Sequence, residues 1–100
     1  KITSSSLANV GKYDFKDCTR LESITLGKNL KSIGDSAFNN NRKLKSVNIK
    51  STKLSKVGKS AFSKIYSKAK FTVPKSKLKK YKKLIKSNGK APKNVKFIAK

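Results

Sequence analysis

Apolar and small polar residues alternate in three short stretches spaced almost evenly along the chain. They are SITL (23–26), SVNI (46–49) and KFTV (70–73), with Ile24/Leu26, Val47/Ile49 and Phe71/Val73 on one side of each. A period of two predicts short strands with one face buried and the other in water. Pro74 ends the third strand, because it cannot donate to a ladder. The text between the strands repeats as well: LKSIGDSAFN (30–39) returns as LSKVGKSAFS (54–63), with Ile33 exchanged for Val57. LESITL (21–26) and LKSVNI (44–49) stand ahead of the two copies. A fainter copy, LANVGKYDFKDC (7–18), sets Leu7, Val10, Gly11 and Phe15 one period ahead of Leu30, Ile33, Gly34 and Phe38.

A sustained period of 23–24 residues marks a solenoid, in which each repeat is one structural unit stacked on the next. Strands recurring at one point of every repeat stack as a parallel ladder, and the remainder of each repeat loops back to begin the next rung. The predicted interior columns are Leu21, Ile24, Leu26, Leu30, Ile33 and Phe38, then Leu44, Val47, Ile49, Leu54, Val57 and Phe62, closed by Phe71 and Val73. Gly34 and Gly58 permit a tight or left-handed turn. Ser36-Ala37 and Ser60-Ala61 suit a short helical turn.

KSKLKKYKKLIKSNG (75–89) predicts an amphipathic helix. Ser76 is placed to cap its start, Leu78, Tyr81, Leu84 and Ile85 share one face, and Asn88-Gly89 with Pro92 mark its end. Its apolar face is expected to close the last rung, since a repeat array needs a polar-faced end. NVKFI (94–98) is expected to add a final strand beside 71–73. The organisation is therefore 1–74 as repeats, with the first rung incomplete, and 75–100 as capping helix and final strand.

LESITLGKNLKSIGDSAFNNNRKL and LKSVNIKSTKLSKVGKSAF, with their LxxIxL and IGxxAF elements in register, resemble the BspA-type leucine-rich repeats of bacterial surface proteins. The resemblance covers roughly residues 7–74, and FTVPKSKLKKYKKLIKSNGKAPKNVKFI looks like the segment that closes such arrays. Cys18 stands where that family often places cysteine, whereas Asn41 and Ile65 occupy the equivalent points of later copies. Tyr13-Asp14 replaces Ser-Ala in the first copy, so an irregular first rung is expected. The fold class implied is an α/β repeat: a short right-handed leucine-rich-repeat solenoid with a parallel strand ladder, short helical turns and a C-terminal capping helix. The resemblance implies a secreted or cell-surface protein that binds host proteins, matrix or other cells, and it leaves the ligand open.

Charge sharpens this picture. The net charge is +23, from 27 Lys and Arg against four acids. The acids Asp14, Asp17, Glu22 and Asp35 all precede residue 36, so the positive field grows toward the C-terminus. Such a field concentrates polyanions and weakens steeply with salt. Arg occurs only at 20 and 42; Lys is a mobile point charge rather than a fork, which favours diffuse attraction over base or phosphate reading. Hydrophobic residues make up 35% of the chain, but their regular spacing argues against disorder. No apolar run approaches the ~20 residues of a membrane span. The chain has no Met and opens partway into a repeat, which reads as a piece of a longer polypeptide.

Candidate chemistry is sparse. Cys18 is the single cysteine and there is no His, so no intramolecular disulfide and no Cys–His nucleophile can be assembled; a buried structural thiol is expected. One Cys and four scattered acids make no metal ligand set, and the glycines form no phosphate-binding loop. No catalytic, cofactor-binding or metal residues are assigned. Two surfaces remain. Ser23, Thr25, Ser46, Asn48, Lys70 and Thr72 face outward on the strands as a polar platform, against the plainer reading of ordinary solvated residues. Lys79, Lys80, Lys82, Lys83 and Lys86 on the helix attract polyanions, or simply keep the end of the array soluble.

The leading expectation is a noncatalytic adhesion or protein-interaction module, the C-terminal part of a larger surface protein. Its partners would be a host or matrix protein or an anionic polymer such as a glycosaminoglycan or cell-wall polymer. One alternative is a nonspecific nucleic-acid-binding protein; against it stand the scarcity of Arg and the lack of a stacking array. Another is an accessory domain that positions an extracellular enzyme on its substrate.

Overall fold

The computed structural model describes residues 2–4 and 9–100; Leu7, read above as the counterpart of Leu30 one period earlier, lies outside them. The strands are β1 (Ile2–Ser4), β2 (Asn9–Val10), β3 (Ser23–Leu26), β4 (Ser32–Ile33), β5 (Ser46–Ile49), β6 (Lys56–Val57), β7 (Lys70–Val73) and β8 (Lys96–Ala99). A 3-10 turn at Lys75–Lys77 leads into the one helix of the described residues, α1 (Leu78–Ser87). Two parallel sheets result, one in the order β1-β3-β5-β7-β8 and one in the order β2-β4-β6. The register is one repeat per strand: Ile24 pairs Val47 and Val47 pairs Phe71, while Val10 pairs Ile33 and Ile33 pairs Val57. The final strand pairs Phe71 with Phe97.

A third line of cross-rung hydrogen bonds follows the second sheet. The N–H groups of Tyr13, Phe15 and Asp17 donate to the carbonyls of Asp35, Ala37 and Asn39, and those of Ser36, Phe38 and Asn40 donate to Lys59, Ala61 and Ser63. The intervening N–H groups turn back within their own rung, Ala37 to Gly34 and Asn39 to Ser36. This alternation needs a left-handed residue at fixed points, found at Tyr13, Ser36 and Ser60 and again at Asp17, Asn40 and Lys64. The Ser-Ala pairs thus form successive tight turns, not the short helical turn expected from sequence, because φ is 54° at Ser36 and 59° at Ser60. The first rung keeps the same ladder despite Tyr13-Asp14, with the Asp14 carboxylate accepting from the Gly11 N–H at 2.8 Å.

Gly34 and Gly58 also serve differently from the expectation. Among the described residues no glycine has positive φ. A Cβ on Gly34 would stand 2.5 Å from the Lys12 nitrogen, and one on Gly58 2.5 Å from the Gly34 carbonyl carbon. Glycine is required here so that neighbouring rungs can touch backbone to backbone. The Gly34 N–H donates to Val10 and the Gly58 N–H to Ile33, each at 2.7 Å.

Inside the stack, Ile24/Val47/Phe71, Leu26/Ile49/Val73, Leu30/Leu54, Ile33/Val57 and Leu21/Leu44 are buried. All five phenylalanines of the chain join in one spine. Phe15, Phe38 and Phe62 stack in parallel at 5.2 Å, Phe62 meets Phe71 edge-on at 5.1 Å, and Phe71 stacks on Phe97 at 5.2 Å. Offset and edge contacts at this separation add to the burial energy.

The helix takes the place of a further rung. Tyr81 and Ile85 are fully buried, Leu78 and Leu84 pack against the core, and Lys79, Lys80, Lys82, Lys83 and Lys86 are exposed. The carbonyls of Asn88 and Gly89 accept from the N–H groups of Ser60 and Phe62, so the end of the helix satisfies donors that another rung would have met. Ser76 does not cap α1; it lies within the 3-10 turn, the N-cap is Lys77, and no side chain caps it.

Candidate functional site

The five-stranded sheet brings the outward strand residues into two rows, one residue per strand at about 4.8 Å spacing. Ser23, Ser46 and Lys70 form the first row, and Lys96 continues it on β8. Thr25, Asn48 and Thr72 form the second, continued by Ile98. Ser46, Lys70, Lys96 and Ile98 are exposed, and Ser23, Thr25, Asn48 and Thr72 are half-buried by their neighbours on the sheet. Lys96 and Ile98 were absent from the sequence-based platform. The signal was present in NVKFI, since a strand paired there must present alternate residues outward.

The rows change character along the stack. Ser23 and Ser46 give way to Lys70 and Lys96; Asn9 and Ser32 give way to Lys56; Asp17 and Asn40 give way to Lys64. These three lateral lines start neutral or acidic and end in lysine, whereas the Thr25–Asn48–Thr72 row ends in Ile98. Side-chain bonds run along the same lines at the early end, with Ser32 Oγ donating to Asn9 Oδ1 at 2.6 Å and Asn40 Nδ2 donating to Asp17 Oδ1 at 2.9 Å. The five helix lysines project from the last turn of the stack and add to its basic end.

Two tyrosines are exposed beside lysines, which the repeat pattern did not single out. Tyr13, 52% exposed, has the Lys12 and Lys16 ammonium groups each 5.3 Å from its ring centre, and Tyr66 has that of Lys45 at 5.6 Å. Each is a cation–π contact of the exposed, weaker kind.

Little here resembles reactive machinery. Among the described residues, no cluster of three or more His, Cys, Asp or Glu is placed to hold a metal ion. Cys18 is half-buried against the core rather than fully enclosed as expected. Asn41, one repeat later, is fully buried and donates through Nδ2 to the Phe15 and Phe38 carbonyls at 2.8 Å, tying two rungs together. Burial raises the Tyr81 phenol above its ordinary value, partly offset by the hydrogen bond from the Leu54 N–H. The same hydroxyl donates to the Ser51 carbonyl at 2.7 Å, which is a structural duty. No described helix is long and apolar enough to cross a membrane.

The recurrent rung agrees with the comparisons to known proteins. The profile of the BspA type leucine rich repeat region matches residues 1–98, in six copies. No curated protein and no solved structure gives a match. With nearly the whole length matched and the rungs stacked in register, this chain belongs to the BspA-type leucine-rich repeat family.

Proposed function

We propose that this chain is a noncatalytic interaction module acting at a cell surface or outside the cell, with the outer face of the five-stranded sheet as its contact surface. In this reading residues 1–74 form the repeat array, and 75–100 close it with helix and final strand. The observation that carries it is the pair of in-register outward rows, Ser23–Ser46–Lys70–Lys96 and Thr25–Asn48–Thr72–Ile98. Extended repeat surfaces of this kind serve binding, and family membership supports a protein-interaction role by analogy of fold. The lysine-rich late rungs favour anionic partners: an acidic patch on a host or matrix protein, a glycosaminoglycan or a cell-wall polymer. The helix lysines Lys79, Lys80, Lys82, Lys83 and Lys86 add long-range attraction rather than a shaped contact.

The intact chain, screened against matrix proteins and anionic polymers at physiological salt, is expected to retain at least one. Ser46→Trp, on the central strand and pointing into solvent, should weaken that binding about tenfold or more by blocking the face, with unfolding behaviour unchanged. Uniform absence of binding by the intact chain overturns the reading. Affinity for nucleic acid is expected to be nonspecific and to collapse as salt rises.

A further inference from the structure

Lysines gather at the C-terminal ends of the sheet strands in a way that neither the strand face nor the helix surface accounts for. Lys28 follows β3, Lys50 follows β5 and Lys100 follows β8, and all three line one hollow together with Asn48, Thr72 and Pro74. An adjoining hollow shares Lys28 and Lys50 and continues to Asn29, Thr52 and Lys53. Two of the three lysine backbones are anchored, because the Lys50 N–H donates to the Leu26 carbonyl and the Lys100 N–H to the Val73 carbonyl, both at 2.9 Å. The Lys100 carbonyl in turn accepts from the Lys75 N–H at 3.0 Å.

No Asp or Glu side chain lines either hollow. Glu22 precedes β3, at the opposite end of the strands, and Asp14, Asp17 and Asp35 lie in the turns. A third hollow makes the contrast: it too has lysines, Lys56, Lys59 and Lys90, but Asp35 stands among them.

We propose that the groove at the strand ends is a subsite for an anionic polysaccharide, its carboxylate or sulfate groups lying across Lys28, Lys50 and Lys100. The proposal rests on the interaction-module reading and names the ligand class and place for it. Strand spacing of about 4.8 Å sets Lys28 and Lys50 one strand apart and Lys100 two strands further, so the backbones that carry these lysines mark out a row of roughly 15 Å along the stack. A single small anion meets only part of such a row; a linear polymer with recurrent charges meets all of it. The Asn48 amide and the Thr72 and Thr52 hydroxyls offer hydrogen bonds suited to sugar hydroxyls. Pro74, half-buried at the rim, offers an apolar surface to ring C–H groups. No aromatic side chain lines the groove, so the stacking platform that single-stranded nucleic acid uses is missing.

The test uses the full chain at physiological salt with three probes: heparin oligosaccharides (sulfated), polygalacturonate oligosaccharides (carboxylated only) and poly(dT). The variant Lys28→Gln/Lys50→Gln/Lys100→Gln is compared with Lys43→Gln/Lys68→Gln/Lys93→Gln, which removes equal charge from exposed lysines preceding β5, β7 and β8 at the other end of the strands. The groove variant should weaken binding of at least one polysaccharide about tenfold or more and lower the slope of log affinity against log salt by about 2 units, while the control changes affinity less than about threefold. Sulfated and carboxylated probes separate the two sources of negative charge. Equal losses in both variants would mean that net charge alone attracts the polymer, and would overturn the subsite. Preferential, salt-resistant binding of poly(dT) would overturn the ligand class. If Ser46→Trp abolishes polysaccharide binding while the groove variant leaves it intact, the subsite falls and the broader reading survives.

Discussion

Two kinds of residue make the rung possible, and they are easily confused in sequence. Gly34 and Gly58 permit backbone contact between rungs, whereas the left-handed turn positions are filled by ordinary side chains such as Ser36, Ser60 and Lys64. Substitutions should therefore act in opposite directions. Gly58→Ala forces a Cβ against the backbone of the preceding rung and is expected to cost at least about 2 kcal/mol. Lys64→Gly relieves an exposed residue held at φ 61° and should stabilise by about 0.5–1 kcal/mol, the steric penalty lifted exceeding the added chain entropy. Denaturant midpoints of the two variants check both signs. The repeat of Gly and Ser-Ala was plain in the sequence. Which of them carried the unusual backbone was not, because that depends on how close the next rung lies.

At the scale of elements, the periodic signals were the legible ones. The strand positions, the buried side of α1 and a last strand near 94–98 all follow from the spacing of apolar residues. The non-periodic details did not follow. Ser76 looked like a cap, but Pro74 and the 3-10 turn shift the helix start to Leu78. The edge contact of Phe62 with Phe71 joins residues from different columns of the rung, and no one-dimensional period encodes a contact across the interior. The use of Asn88 and Gly89 carbonyls in place of another rung was equally hidden.

Tyr81 is the pin of this closure. Its hydroxyl donates to the Ser51 carbonyl and accepts from the Leu54 N–H at 3.2 Å. Tyr81→Phe leaves both buried groups unpaired and is expected to cost about 1–3 kcal/mol. The phenol is raised by burial above its unfolded value of 10.0. The folded chain therefore holds the proton more tightly, and this stability is complete below pH 10 and lost as pH rises through the folded value. An alkaline titration followed by phenolate absorbance and circular dichroism should show a step coincident with unfolding in the parent chain. That step should be missing from Tyr81→Phe.

For the whole molecule, the stack has a chemical direction. Acids sit in the early rungs and lysine takes over the same lateral positions in the late ones, so one end carries the field. That much was legible as a charge count. The strand-end groove was not, because Lys28, Lys50 and Lys100 are far apart in sequence and share no motif; parallel pairing alone brings them together. Noncatalytic binding, the sheet face and the polysaccharide groove all presuppose that equivalent residues of successive repeats stand side by side.

Scalar couplings measured by NMR across individual hydrogen bonds test that premise most directly. The stack predicts couplings from the Gly58 N–H to the Ile33 carbonyl, from Phe38 to Ala61, and from Phe62 to Gly89. Couplings confined within each repeat, in a helical i to i−4 pattern through 35–40 and 59–64, would contradict it.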